Sequence, residues 1–356
     1  MSTLTESRAC RARGAHGTAA RRVLDLGASR RADRRGADVL SAVALGAGSG
    51  RGRELVLPWM RSGVETMEGT AVAEDGSVWP VAAGQRIRVL TGNLLSGGVG
   101  RGKADGRFED LMRVAKQQDP DIALLQECLF WDADDYRLFH RAEQVLGMRG
   151  LLGLSPLDQH VAIFVREPLT VTAHRSLPDR VWHHGALMAQ VSYPRAAGEF
   201  GSITVASAHL SARSPEQRLL EAEQLVDYVR HGGWAVIGGD MNTADPGTDL
   251  SLAPPRARAG LAQVGTDIPD TRCMTRLADA GFVDAAVHAE RAVPTTGHWR
   301  GQHFAARPDR IFLSERAAAA LTAVRLVTEV ADYSDHLWLT ADLHVGDAVF
   351  PEWAAR

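Results

Sequence analysis

The sequence predicts an α+β fold in which two packed, mostly antiparallel β-sheets carry helices on their outer faces, a four-layer α/β/β/α sandwich. Three observations predict it. Short apolar or alternating segments recur through most of the chain, several in hairpin-like succession. Segments of helical periodicity punctuate both halves instead of alternating regularly with strands, which argues against a parallel α/β sheet. No self-similarity occurs at the periods of solenoids or propellers.

Order is expected to begin near Gln85. Arg86–Thr91 (RIRVLT) alternates as a half-buried strand does and runs into Gly92–Asn93. Gly97–Gly106 is a glycine-rich turn, and Phe108–Gln117 places Phe108, Leu111, Met112 and Ala115 at helical spacing. Asp121–Gln126 follows Pro120 as a short apolar strand, and Asp134–Leu146 is a second amphipathic helix. Strands are then expected at Val161–Val165, Leu169–Ala173, Leu187–Tyr193 and Ile203–Ala208, parted by turn-forming stretches such as Pro178–Asp179 and Ala197–Gly198. Ser214 and Pro215 form a helix start, cap then first turn, for a helix reaching Arg230 with Leu219, Ala222, Leu225, Val226 and Val229 on one face. Ala235–Ile237 leads into Gly238–Gly239–Asp240. Leu250–Thr271 has little periodicity and is expected to be a long loop on the substrate side, before a helix at Met274–Ala280. Ile311–Leu313, Ala323–Val327 and Leu337–Leu343 complete the strands.

A chain of 356 residues with 45% hydrophobic and 23% charged residues buries a large core. The net charge of −3 marks neither a nucleic-acid nor a membrane partner, but it is unevenly spread. Twelve arginines oppose six acids in Met1–Glu65, so the remainder is clearly acidic. Residues 1–84 are expected to be a disordered Arg/Ala/Gly leader, and 85–350 the functional domain. Arg30–Arg31 and Arg34–Arg35 precede a weakly apolar stretch, Ala37–Gly50, a pattern shared with twin-arginine export signals; a cytoplasmic location is the expectation and export the alternative. Met60 and Met67 are alternative starts within the leader. Cys10, Cys128 and Cys273 are too few and too far apart for a disulfide framework, and Cys128 reads as a small buried hydrophobe. No run of 18 apolar residues predicts a membrane span. A monomer is expected.

The residues that can do chemistry cluster where strands end. Asn93 ends the first strand, Glu127 follows the second, His209 ends SITVASAH, and Asp240 and Asn242 close VIGGDMN. Asp309 opens the strand of RPDRIFL, and Asp335–His336 precede the last one. Side chains at the ends of apolar strands are held rigidly by the packing behind them. Four carboxylates, two imidazoles and two amides, without a G-x-S-x-G or HExxH motif, suit a hard cation such as Mg²⁺ or Mn²⁺ and activation of water. Taken singly, several of these residues serve equally well as turn or capping residues.

The segments TGNLL, LLQE, SAHLS, GGDMNT, RPDRIFL and SDHLWL resemble, in order and over about 250 residues, the motifs of the endonuclease/exonuclease/phosphatase superfamily, whose fold is that of pancreatic deoxyribonuclease. The resemblance implies a DNase I-like sandwich and a divalent-metal-dependent phosphoric ester hydrolase. It implies Glu127 as principal metal ligand, with Asn93 beside it and Asp335 completing the metal or water shell. His209 would contact the phosphate or protonate the leaving oxygen. Asp240 would orient or deprotonate the attacking water, Asn242 would hold a phosphoryl oxygen, and His336, steered by Asp309, would stabilise developing charge. Members of the superfamily often contact phosphate through a Tyr, Arg or His between the second and third motifs; Arg180, His183 and His184 are the candidates here. Asp284 and Trp299 read as structural.

An acidic domain with 6% aromatic residues lacks the extended basic surface that a duplex requires, which favours a small-molecule or lipid phosphoester. Arg256, Arg258, Arg300 and Arg307 are candidates for a local basic patch that would instead serve a DNA or RNA substrate. A tethered, non-catalytic binding protein is the reading from another class, and intact catalytic positions argue against it.

Overall fold

The computed structural model describes residues 86–100, 106–177, 181–195, 200–229 and 233–346. The arginine-rich leader, the Pro178–Asp179 turn and Arg180 lie outside the described residues. Along the chain run β1 (Arg86–Asn93), α1 (Arg107–Gln117), β2 (Ile122–Gln126), α2 (Ala133–Leu146), β3 (Arg149–Gly153), β4 (Val161–Val165), β5 (Thr170–Ser176), β6 (Gly185–Pro194) and β7 (Phe200–His209). They are followed by α3 (Pro215–Val229), β8 (Trp234–Asp240), α4 (Pro255–Leu261), α5 (Arg272–Asp279), β9 (Phe282–Asp284), α6 (Ala285–His288), β10 (Asp309–Ser314), α7 (Glu315–Ala318), β11 (Leu321–Val327) and β12 (Trp338–His344).

The strands form two six-stranded sheets, ordered β11-β12-β1-β2-β4-β3 and β5-β6-β7-β8-β10-β9. Each has one parallel pair near its middle, β1 with β2 and β7 with β8, and is otherwise antiparallel. The alternation in the sequence becomes the layering. Ile87, Val89, Ile122 and Leu124 face Leu187, Val191, Ile203, Val205 and Ile311 across the inter-sheet core. Their neighbours Leu90, Ala123 and Leu125 point outward onto Phe108, Leu111 and Met112 of α1 and Phe139 of α2. On the other side Ala206, Ala208, Ile237 and Phe312 meet Ala222, Leu225 and Val226 of α3 and Leu277 of α5. Both faces of the central strands are buried, so β2 and β4 read as unbroken apolar runs.

The two glycines before Asp240 follow from this packing. A Cβ on Gly238 would stand 2.7 Å from Leu124 Cδ1 of the opposite sheet, and one on Gly239 would stand 1.8 Å from the Ala208 carbonyl oxygen of β7. Ser214 caps α3 as expected, its Oγ accepting from Gln217 N at 3.2 Å.

Two expectations need correction. Leu250–Thr271 is not structureless: Asp249 caps a 3₁₀ turn at Leu250–Leu252, and Pro255 opens α4. Leu250 and Ala262 pack with Ala244, so the insertion carries its own small core, too short for a visible period. The strands β3 and β9 were also not evident from sequence, being five and three residues long and mostly half-exposed. Cys128 is buried, and burial pushes its thiol well above the ordinary range. Among the described residues no helix is long and apolar enough to cross a membrane.

Arg307, expected in a basic patch, is instead 3% exposed beside the equally buried Arg310. Both guanidiniums donate to Asp284 Oδ2 at 2.8 Å and to Asp245. Asp284 Oδ1 also caps α6 by accepting from Ala286 N and Val287 N, which bears out its structural reading. Asp284→Ala leaves two buried cations with one carboxylate, and the expected cost is about 3–5 kcal/mol in equilibrium urea unfolding. A loss under about 1 kcal/mol, the range of an exposed pair, would mean that the network does not hold this end of the second sheet.

Candidate active site

Strand register alone gathers most of the predicted residues at one end of the sandwich. In the first sheet Asn93 pairs with Gln126, so Glu127 emerges beside it. In the second, Gly185 pairs with His209, His209 with Asp240, and Asp240 with Asp309. Parallel strands β1, β2, β7 and β8 end here, while antiparallel β6, β10 and β12 begin here. His184 and His336 therefore arrive on the segments leading into β6 and β12.

Asn93 joins the two sheets. Its Nδ2 donates to Glu127 Oε1 at 3.2 Å and to Asp240 Oδ2 of the other sheet at 3.0 Å. Its Oδ1 accepts from Leu95 N, and its carbonyl accepts from Ser334 Oγ and Trp338 Nε1. Glu127 sits at φ 56°, a left-handed conformation that turns its side chain back toward the strand end. Its Oε2 accepts from Ser96 N at 2.7 Å. Burial pushes its carboxyl up, and the nearby Asp335 adds to that. Among the described residues Glu127 has no Arg or Lys partner in its ion-pair range. Glu127 and the nearby Asp335 offer carboxylate oxygens, the donor type that suits Mg²⁺ or Mn²⁺.

Asp240 receives donors from several directions. Asn242 N donates to its Oδ1 at 2.8 Å; His209 Nε2 lies 3.5 Å and His336 Nε2 3.9 Å from its Oδ2. Asn242 itself sits at φ 47°, its Nδ2 donating to Leu210 O at 2.9 Å. His336 Nδ1 donates to Asp309 Oδ2 at 2.8 Å, and Thr295 Oγ1 donates to the same oxygen at 2.6 Å. Ligand atoms of Asp240, Asp309 and His336 lie within 4.8 Å of one another, close enough for a cation. Asp309 Oδ2 is already committed to His336 and Thr295, however, so the trio reads as a hydrogen-bonded acid–imidazole pair beside a base.

The imidazoles are driven apart in charge. Burial pulls His336 down, but Asp309 and Asp240 outweigh it and hold it well above the ordinary range, so it is a cation. Burial pulls His209 down to about 3, with His336 adding to the shift, and His184 down to about 2. His184 packs against His209 with ring centroids 4.0 Å apart and planes tilted by 45°, and His183 stacks on His184 at 4.8 Å. His184 Nδ1 donates to Leu210 O at 3.1 Å. Thus His183 and His184 come to the site with the eight motif residues.

Sequence reasoning missed several contributors. Gln126, within the LLQE motif, is fully buried and donates from Nε2 to Ser207 Oγ of the opposite sheet at 3.0 Å. Thr295 and Ser334 position Asp309 and Asn93. A polar residue inside an apolar strand was the available signal for Gln126 and Ser207; none marked Thr295. Trp299, read as structural, lines a cavity of about 480 Å³ with Leu95, Arg107, Asp110, Arg300, Asp332 and Tyr333.

Carboxylates, imidazoles and amides thus line one end of a two-sheet sandwich. The sequence profile described as "Endonuclease/Exonuclease/phosphatase family" matches residues 90–336, and the chain belongs to that family. No curated protein matches the chain by sequence. Solved structures do match in fold. A humanized D. rerio TDP2 superposes with a TM-score of 0.51 at 16% identity, over 73% of this chain and 99% of that one. The Xenopus laevis APE2 catalytic domain gives 0.55 at 15% identity, over 75% and 94%. The 3′ phosphatase NExo from Neisseria, bound to a product DNA hairpin, gives 0.53 at 20% identity, over 72% and 99%.

The depressed His184 sets a testable pH dependence. The unfolded imidazole takes up a proton near its ordinary 6.5, whereas the folded one does so only at about 2. Between those values the unfolded state holds the extra proton, so acidification favours unfolding. His184→Gln removes that contribution. Between about pH 6 and about pH 4 the variant's unfolding free energy should fall with acid less steeply than the parent's, by about 1.4 kcal/mol per pH unit. Parallel curves from urea melts across that range would contradict a neutral, buried His184.

Proposed function

We propose that this protein hydrolyses a small-molecule or lipid phosphoester by in-line attack of water, with Mg²⁺ or Mn²⁺ bound. The observation that carries the reading is Asp240, an acid of the second sheet held by Asn93 of the first and placed between a neutral and a cationic imidazole. Glu127, with Asp335 and Asn93, would hold the metal, which supplies Lewis-acid polarisation of a phosphoryl oxygen. Asn93 serves chiefly by fixing Glu127, since its own oxygen is taken by Leu95 N.

Asp240 orients the attacking water and takes its proton. Asn93 and Asn242 donate to it and His209 Nε2 lies 3.5 Å away, and this fixes which lone pair faces the water. His209 is neutral and turned toward Asp240, which favours an orienting and phosphate-contacting part over that of an acid. His336 carries positive charge into the cleft and stabilises charge building on the phosphoryl oxygens, with Asp309 fixing its ring orientation. Asn242, whose Nδ2 spends one hydrogen on Leu210 O, would do the same with the other.

Three features support a small or lipid substrate. The domain is acidic, Arg307 is buried away from any patch, and Arg258 is turned back onto Ser251 O and Ala253 O. The cavity beside Leu95 and Trp299 offers room for the esterified group.

The test is hydrolysis of bis-p-nitrophenyl phosphate, p-nitrophenyl phosphate, nucleotides, a phospholipid, plasmid DNA and RNA, with and without Mg²⁺ or Mn²⁺. Chelator-sensitive turnover is expected, highest on a small or lipid ester. Glu127→Gln and His336→Ala, still folded by circular dichroism, should each lose at least about 100-fold in kcat. Turnover that ignores both chelator and Glu127→Gln would overturn the mechanism; preferential cleavage of plasmid or RNA would overturn the substrate class.

A further inference from the structure

Helix α3 lies outside the second sheet, yet its buried stripe is not wholly apolar. Arg218 and Glu221, both fully buried, are in phase with Ala222, Leu225 and Val229. A buried carboxylate and guanidinium are costly unless their hydrogen bonds are met, so what they hold is informative.

Glu221 accepts from two separate strand ends. Its Oε1 takes His183 N at 2.8 Å, and its Oε2 takes Ser211 N at 2.7 Å. Gln217 Nε2, one turn earlier, donates to Oε1 at 3.1 Å and also to Val181 O. Arg218 Nη1 donates to Ser211 O at 2.9 Å, so α3 grips both the N–H and the C=O of Ser211. Ser211 Oγ in turn meets His183 Nδ1 at 3.2 Å.

The gripped backbone carries three site side chains. His209 is two residues before Ser211. Leu210 O, between them, accepts from both His184 Nδ1 and Asn242 Nδ2. His184 follows His183 directly, and its ring packs on His209. A shift of Ser211 or His183 therefore moves His184, His209 and Asn242 together, and His209 and Asn242 are partners of Asp240.

We propose that Glu221, with Arg218, is a positioning residue for the phosphoryl-transfer site: from behind the sheet it clamps the strand ends at 183 and 211 and so sets the His184–His209–Asn242 geometry. The proposal rests on the hydrolytic reading above and adds two residues that never touch substrate. Burial pushes the Glu221 carboxyl up to about 7, and the donors His183 N and Ser211 N oppose that rise.

Glu221→Gln keeps the volume but replaces one acceptor oxygen by an NH₂ group facing a backbone N–H. Small displacements of this kind cost roughly 10- to 100-fold in rate. The expected result is that fall in kcat with KM changed less than about twofold, together with moved or broadened His184 and His209 ring ¹⁵N signals and an undisturbed His336. Leu225→Ala, a cavity on the same helix, is the control: lower stability, unchanged kcat and unchanged ring signals. Arg218→Met, which releases Ser211 from its carbonyl side, should reproduce the Glu221→Gln ring signature and serves if that variant does not fold. The ring signals are read without substrate, so they judge the clamp even if the protein hydrolyses no phosphoester. Ring signals unchanged in the folded variant, or kcat within twofold of the parent, would overturn the proposal.

Discussion

One amide holds the two halves of the site at a fixed separation. Asn93 stands at the end of a strand in the first sheet and donates one hydrogen to Glu127 beside it and the other to Asp240 across the sandwich. Without that bridge, the half-buried Glu127 and the buried Asp240 would face each other across the cleft with no donor between them, which low-dielectric surroundings penalise. Directly beneath, Gln126 and Ser207 tie the sheets a second time. Trp338 and Ser334 hold the carbonyl of Asn93, so the bridge cannot swing. Everything at this end of the molecule is referenced to that short stack of cross-sheet bonds.

The second consequence of the architecture is electrostatic sorting. Three histidines sit within a few ångströms of one another, and their surroundings assign them opposite charge states. His336 lies between Asp309 and Asp240 and is cationic; His209 and His184 are buried against each other and neutral. A site that separates titratable groups in this way separates their tasks. Here a carboxylate positioned by neutral donors stands beside one fixed positive charge.

The fold class was legible because strand alternation and helical period are local signals that survive in the four layers built from them. The element centres followed from sequence, as at Val161–Val165, which matches its strand residue for residue. Short or half-exposed pieces such as β3, β9 and α4 were not legible, since their residues are set by tertiary neighbours; Gly150, for one, is required by the ring of Phe139. Of the site, the residues at strand ends were visible as motifs, and register brings them together. What no motif carried was the support: Thr295 behind Asp309, Ser334 behind Asn93, Arg218 and Glu221 behind Ser211. Their work is defined by long-range contacts. Arg307 shows the opposite failure, an arginine that looked available and is held by two acids.

The central claim is that Glu127 and Asp335, at strand ends of the first sheet, bind one cation beside Asp240 of the second. Titration of the ¹⁵N-labelled protein with Mn²⁺, a paramagnetic ion, tests it through the histidine ring signals. Strong broadening of His336 and His209 at low Mn²⁺, with His344 at the far end of β12 unaffected and the effect lost in Glu127→Gln, is the result the account requires. Uniform weak broadening, or broadening centred on other histidines, would contradict it.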